Sequence, residues 1–165
     1  MINLNKLKLT HWVSKDCVDL VLQGKGLLKD RFLKPKGFYL SVNGEWEDWC
    51  SCSMPEMIDE KTMVCLKAEL KEGLNILIID SGKTFLDEWK KCFPEQKYFD
   101  NFILEKTEDR KIFNNYLRKK YDGIYITRKI INDNNIYCSW IKGWDAETIV
   151  IFDSKNVTFS KIFEK

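Results

Sequence analysis

The 165 residues are 44% hydrophobic and 32% charged, enough apolar material for one packed core and too little length for two, so one folded domain over 1–165 is expected. With 27 Lys and Arg against 25 Asp and Glu, and only four Arg among the cations, the balance disfavours sequence-specific DNA binding. The single histidine, His11, excludes metal sites built on several imidazoles.

The six cysteines contain no C-x-x-C pair, and the N-terminus lacks the apolar core of a signal peptide. Buried thiols in a reducing, cytoplasmic setting are therefore expected, with no disulfide framework and no metal. No stretch reaches the roughly 18 apolar residues that span a bilayer, so no membrane partner is expected.

Along the chain, Leu7, Leu9, His11 and Val13 alternate with Lys6, Lys8, Thr10 and Trp12, the period of a half-buried strand, which turns His11 to the apolar side. Ser14 is placed to cap a helix over 15–23, which the Gly24-Lys25-Gly26 punctuation ends. The connecting segment 27–36 is the most basic short region, with Lys29, Arg31, Lys34 and Lys36 against Asp30.

Residues 37–42 are aromatic and β-branched and close on Asn43-Gly44, predicting a strand and a turn. A helix is predicted over 45–52, its first turn rich in acid. Strands at 62–70 and 74–79 are joined by Lys71-Glu72-Gly73, a hairpin signal. Helices follow over 83–93 and 108–120, the second capped by Thr107 and carrying acids first and bases last, as the helix dipole favours. Late strands are predicted at 123–127, 136–141 and 148–152. This order of elements predicts an α+β fold with antiparallel sheets rather than a doubly wound βαβ series.

Several chemistries lack their signatures. No G-x-S-x-G elbow, no P-loop and no dinucleotide G-x-G-x-x-G are present, while a Cys17 or Cys50 nucleophile paired with His11 stays open. What does recur is an ordered set across the strands: His11, Tyr39, Trp49 and Glu147.

In this order the chain resembles the ADP-ribosyltransferases of the diphtheria-toxin and poly(ADP-ribose) polymerase class, whose pattern is His, Tyr and Glu on three strands. Val18-Asp19-Leu20-Val21-Leu22-Gln23-Gly24 with Gly26-Leu27-Leu28-Lys29 is similar to the family's first helix and its turn into the donor loop. Lys36-Gly37-Phe38-Tyr39-Leu40-Ser41 is similar to its Gly-apolar-Tyr strand, and Trp49 stands like its second nicotinamide-stacking aromatic. Ala146-Glu147-Thr148-Ile149-Val150-Ile151-Phe152-Asp153 resembles the catalytic-glutamate strand. Trp12 departs from the pattern, because the family commonly has Gly after the His, whose main chain meets the nicotinamide amide.

The resemblance implies a split antiparallel sheet with flanking helices and a mono-ADP-ribosyltransferase that uses NAD as co-substrate and modifies a protein or nucleic-acid acceptor. Glu147, Tyr39 and His11 would be catalytic. His11, Tyr39, Trp49, Lys29, Arg31, Lys34 and Ser41 would bind NAD, with the cations on its pyrophosphate. Small size and a Lys-, Asn- and Ile-rich composition suit a toxin or effector of a bacterium, phage or other mobile element. Two alternatives stand beside it: an NAD glycohydrolase, and an inactive module that binds protein or single-stranded nucleic acid through residues 25–36 and exposed aromatics.

Overall fold

Where Leu9, His11 and Val13 alternate with Thr10 and Trp12, the chain forms strand β1 (Leu9–Ser14). The computed structural model describes residues 3–25, 34–96, 103 and 106–162. Beyond β1 these form α1 (Val18–Leu22), β2 (Phe38–Val42), α2 (Glu45–Ser53), β3 (Met63–Leu70), β4 (Ile76–Ile79) and α3 (Gly82–Cys92). Then come α4 (Thr107–Lys120), β5 (Gly123–Ile126), α5 (Arg128–Ile131), α6 (Ser139–Lys142), β6 (Thr148–Ile151) and β7 (Val157–Lys161). The fold is α+β: a seven-stranded sheet of order β4-β5-β6-β2-β1-β3-β7, antiparallel throughout except for β4 beside β5.

Side chains alternate across this sheet, so each face builds its own core. One face carries His11 with Leu9, Val13, Phe38, Leu40, Tyr125, Ile149 and Ile151, and packs under Val18 and Val21 of α1. The opposite face carries Ile124, Ile126 and Val150 against Phe85, Trp89, Phe113, Leu117 and Trp140 of the helices. There Glu88, only 4% exposed, ties α3 to α4 by accepting from Lys91 at 2.5 Å, Tyr116 at 2.8 Å and Lys120 at 3.0 Å. Burial alone would raise the Glu88 pKa, but these donors outweigh it and bring it down to about 2.

Three sequence expectations are corrected. The 62–70 and 74–79 strands form no hairpin: β3 is flanked by β1 and β7, and the chain crosses to the far edge, where β4 pairs β5 in parallel. Residues 136–141 are not a strand. From Ser139 the chain forms the helical turn α6, closed by Lys142 N–H to the Cys138 carbonyl at 3.0 Å and Gly143 N–H to the Ser139 carbonyl at 2.9 Å, with Trp140 and Ile141 buried. Ser14 stands at the N-cap of a short 3-10 turn, Lys15–Cys17, that leads into α1, but its side chain makes no capping hydrogen bond. Thr107 is the first residue of α4, whose cap position is Lys106, with its N–H donating to Asp109 at 2.8 Å.

The sheet is deeply parted at its centre. β1 and β2 are in register at only two pairs, Leu9 with Val42 and Thr10 with Ser41. From His11 onward β1 follows β3 alone, while β2 follows β6 back to Phe38. Gly37 enters β2 where a β-carbon would lie 2.6 Å from Val150 Cγ1 and 2.7 Å from the Ile151 carbonyl oxygen, so the close passage beside β6 requires glycine.

Candidate functional site

The parting of β1 from β2 opens a cavity of about 310 Å³, lined by residues 10–14 on one side and 37–41 on the other, with Lys34, Trp46, Leu20, Val21 and Thr148 around it. Its size falls at the lower end of ligand pockets, roughly 300–1,000 Å³.

Register decides which main-chain groups point across the opening. Lys15 N–H bonds the Thr62 carbonyl at 2.9 Å, so by antiparallel alternation the odd residues of β1 bond β3 and the even ones are directed to β2. Asn43 N–H bonds the Lys8 carbonyl at 2.8 Å on that other side. The N–H and C=O of Trp12 therefore point across the split, one rung beyond the last registered pair. By the same rule, and because Val42 N–H bonds the Glu147 carbonyl at 3.4 Å, the main chain of Tyr39 points back from β2.

Among the expected site residues, His11 and Tyr39 meet across this opening. His11 Nδ1 lies 3.0 Å from the Tyr39 carbonyl oxygen, and because a carbonyl only accepts, Nδ1 carries the proton. The imidazole packs edge-on to Phe38 and against Phe159, at ring-centroid distances of 5.6 and 5.3 Å. The Tyr39 ring turns to the opposite face, near Trp144 at 6.2 Å, and its hydroxyl donates to the Pro35 carbonyl. Lys34 lines the cavity with its ammonium 4.8 Å from the Trp144 ring centre and 3.9 Å from the Asp145 carboxylate.

Glu147 immediately precedes β6 and pairs by register with Val42, one rung from Ser41, on the His11 face of the sheet. Its carboxylate accepts from the Tyr125 hydroxyl and, at 3.2 Å, from the Arg128 main-chain N–H. Burial, then the hydrogen bond and charge of Glu147, raise the Tyr125 pKa. Arg128 also donates from Nε to Glu45 at 2.7 Å and from Nη1 to the Asp145 carbonyl at 3.1 Å, which ties the loop before β6 to the start of α2. The residue of this segment that lines the cavity is Thr148, not Glu147.

Trp49 is not among the lining residues; Trp46, one turn earlier on α2, is. Ser41 lines the cavity and donates its hydroxyl to Glu47. Lys29 and Arg31 lie outside the described residues. Among the described residues no three His, Cys, Asp or Glu side chains converge to hold a metal ion.

Sequence reasoning missed Glu47, whose acid was absorbed into a helix-dipole argument, and Tyr125, which reads as one more apolar strand position. Glu47 accepts from Thr10 at 2.6 Å, from the Trp12 indole at 3.1 Å and from Ser41. Burial would raise its pKa, but hydrogen bonds from Ser41, Thr10, its own main chain and Trp12 hold it below the ordinary value. Among the described residues, no helix is long and apolar enough to cross a membrane. Comparison with protein-family models, with curated proteins and with solved structures finds no match to this chain.

Proposed function

We propose that this chain is an ADP-ribosyltransferase-like domain that cleaves the nicotinamide–ribose bond of NAD and transfers ADP-ribose to a protein or nucleic-acid acceptor. The observation that carries this reading is the split itself. The edge of β1 bearing His11 and Trp12 faces the edge of β2 bearing Tyr39, and Glu147 immediately precedes the next strand, β6, at the closed end of the opening.

In this reading the nicotinamide ring enters the split beside Tyr39, Trp12 and Trp46, residues that line it and whose rings would stack on it. Its carboxamide needs one donor and one acceptor, which the Trp12 main chain directs across the opening. As the C–N bond breaks, nicotinamide leaves with the electron pair and positive charge builds on the ribose, as in glycoside cleavage. The Glu147 carboxylate, on the His11 face, would have to reach that charge from beside the cavity and accept from the ribose 2′-hydroxyl. Each of its oxygens carries two acceptor sites, so the bonds from Tyr125 and Arg128 leave capacity for that contact. The acceptor's nucleophilic atom then attacks the sugar carbon and loses its proton. Lys34, at the rim, supplies positive charge for the pyrophosphate.

One observation favours a second reading, a module that binds NAD or a related ligand without cleaving it: both Glu147 oxygens already accept, and the side chain does not line the cavity. Incubation with labelled NAD and a cell extract separates the two. Free nicotinamide with labelled macromolecule supports transfer, and nicotinamide with free ADP-ribose supports hydrolysis; binding with neither product supports the module. For transfer, Glu147→Gln is expected to keep NAD affinity and lose at least about 10²-fold in nicotinamide release. Unchanged turnover in that variant would remove Glu147 from the mechanism.

A further inference from the structure

Glu47 lies at the fulcrum of the split. Its carboxylate receives Thr10 and Trp12 from β1 and Ser41 from β2, so one side chain on α2 holds both strands at the last registered rung, Thr10 with Ser41, beyond which they part. Ser41 is in turn fixed from the helix, because Trp46 N–H donates to its hydroxyl at 3.3 Å.

We infer that Glu47 is the positioning residue that lets a tryptophan occupy position 12 of the ligand-binding edge. A large side chain at this point of the strand would obstruct the split if it were free to rotate inward. Bonding the indole N–H to Glu47 holds the ring on the Tyr39 face, as a wall of the cavity, and leaves the Trp12 N–H and C=O open to a flat amide ligand. The same carboxylate, by holding Thr10 and Ser41, sets where the opening begins. This inference rests on the NAD reading for the identity of the ligand, but not for the clamp itself.

The test uses the whole chain in four forms: wild type, Glu47→Gln, Trp12→Phe and the double variant. The glutamine keeps the shape but loses one carboxylate acceptor, and the phenylalanine keeps a ring but loses the N–H. Affinity for NAD and for nicotinamide is measured by calorimetry, and the Trp12 indole N–H is followed by NMR, assigned by its disappearance in Trp12→Phe. Each single variant is expected to weaken both ligands about tenfold or more, and the double variant no further than the weaker single, because both act through one contact. The indole signal is expected to move and lose exchange protection in Glu47→Gln.

Additive losses, or an unshifted indole in Glu47→Gln, overturn the clamp. So do variant affinities equal to those of a wild type that binds. A wild type that binds neither NAD nor nicotinamide overturns the NAD reading instead, and the indole signal then decides the clamp alone.

Discussion

His11 and Tyr39 sit on adjacent strands with their side chains on opposite faces of the sheet, and yet they are bonded: the imidazole Nδ1 meets the Tyr39 carbonyl oxygen at 3.0 Å, beyond the rung where ladder pairing stops. A side chain here takes the place of a main-chain rung, so the strands stay associated while the opening between them persists. His11→Ala removes this bond and the contacts to Phe38 and Phe159. It is expected to cost about 1–2 kcal/mol of stability in urea denaturation and to weaken NAD binding about tenfold. Stability and affinity equal to wild type would leave the cross-strand bond without consequence.

Trp46 and Trp49 are three residues apart on α2, but only Trp46 lines the cavity. Trp46→Ala is expected to weaken NAD affinity about fivefold, in keeping with the roughly 1 kcal/mol of an aromatic contact. Trp49→Ala is expected to change it less than twofold. Fluorescence titration of both variants decides between the positions, and the reverse ranking would restore Trp49 to the site.

Tyr125 holds one carboxylate oxygen of Glu147 from the same face of the sheet. Phenylalanine there keeps the buried ring and deletes only the donor. If Glu147 works in the orientation this bond maintains, Tyr125→Phe lowers nicotinamide release about tenfold at unchanged KM for NAD. A rise in KM with kcat intact would instead place Tyr125 in ligand binding.

The Glu88 cluster makes a separate statement about acid stability. Its folded-state pKa is depressed to about 2 from 4.5, so its contribution is fully present above pH 4.5 and is lost as pH falls from there through 2. The shift corresponds to about 2 kcal/mol once solvent around the Lys91 and Lys120 ends is allowed for. Glu88→Gln should lose that amount at pH 7, and its deficit relative to wild type should shrink between pH 4.5 and 2. Paired denaturation curves at pH 7 and 2.5 measure it; an equal deficit at both would show that the glutamate acts by packing and not by charge.

Strands β1, β2 and β6 are legible in the sequence because each has one strongly apolar face and little competing signal. The alternation through Leu9, His11 and Val13 identifies the His11 face correctly. Partners are another matter. Gly73, with φ of +75°, makes the turn that the hairpin signal requires, but a local turn says nothing about which edge is vacant, and β3 is already flanked by β1 and β7. Residues 136–141 mislead for a different reason: buried Ile136, Cys138 and Trp140 alternate with exposed Tyr137 and Ser139, which is the period of a strand, although the chain turns helical from Ser139. Of the residues that line the cavity, His11, Tyr39 and Ser41 are singled out by strand position and Lys34 by its place in the basic segment before β2. Glu47, Tyr125 and Arg128 act on side chains 35, 22 and 19 residues distant, a relation that no local spacing encodes.

The two parts of the sheet that flank the opening are interleaved in the chain: β1, β3 and β7 build one, β2, β6, β5 and β4 the other. No contiguous piece of sequence makes either half, so a partly folded chain has no cleft at all. Such non-local pairing places refolding on the slow side for this length, in milliseconds to seconds. Binding competence should return in one kinetic step, together with the last native tryptophan signal, rather than ahead of it.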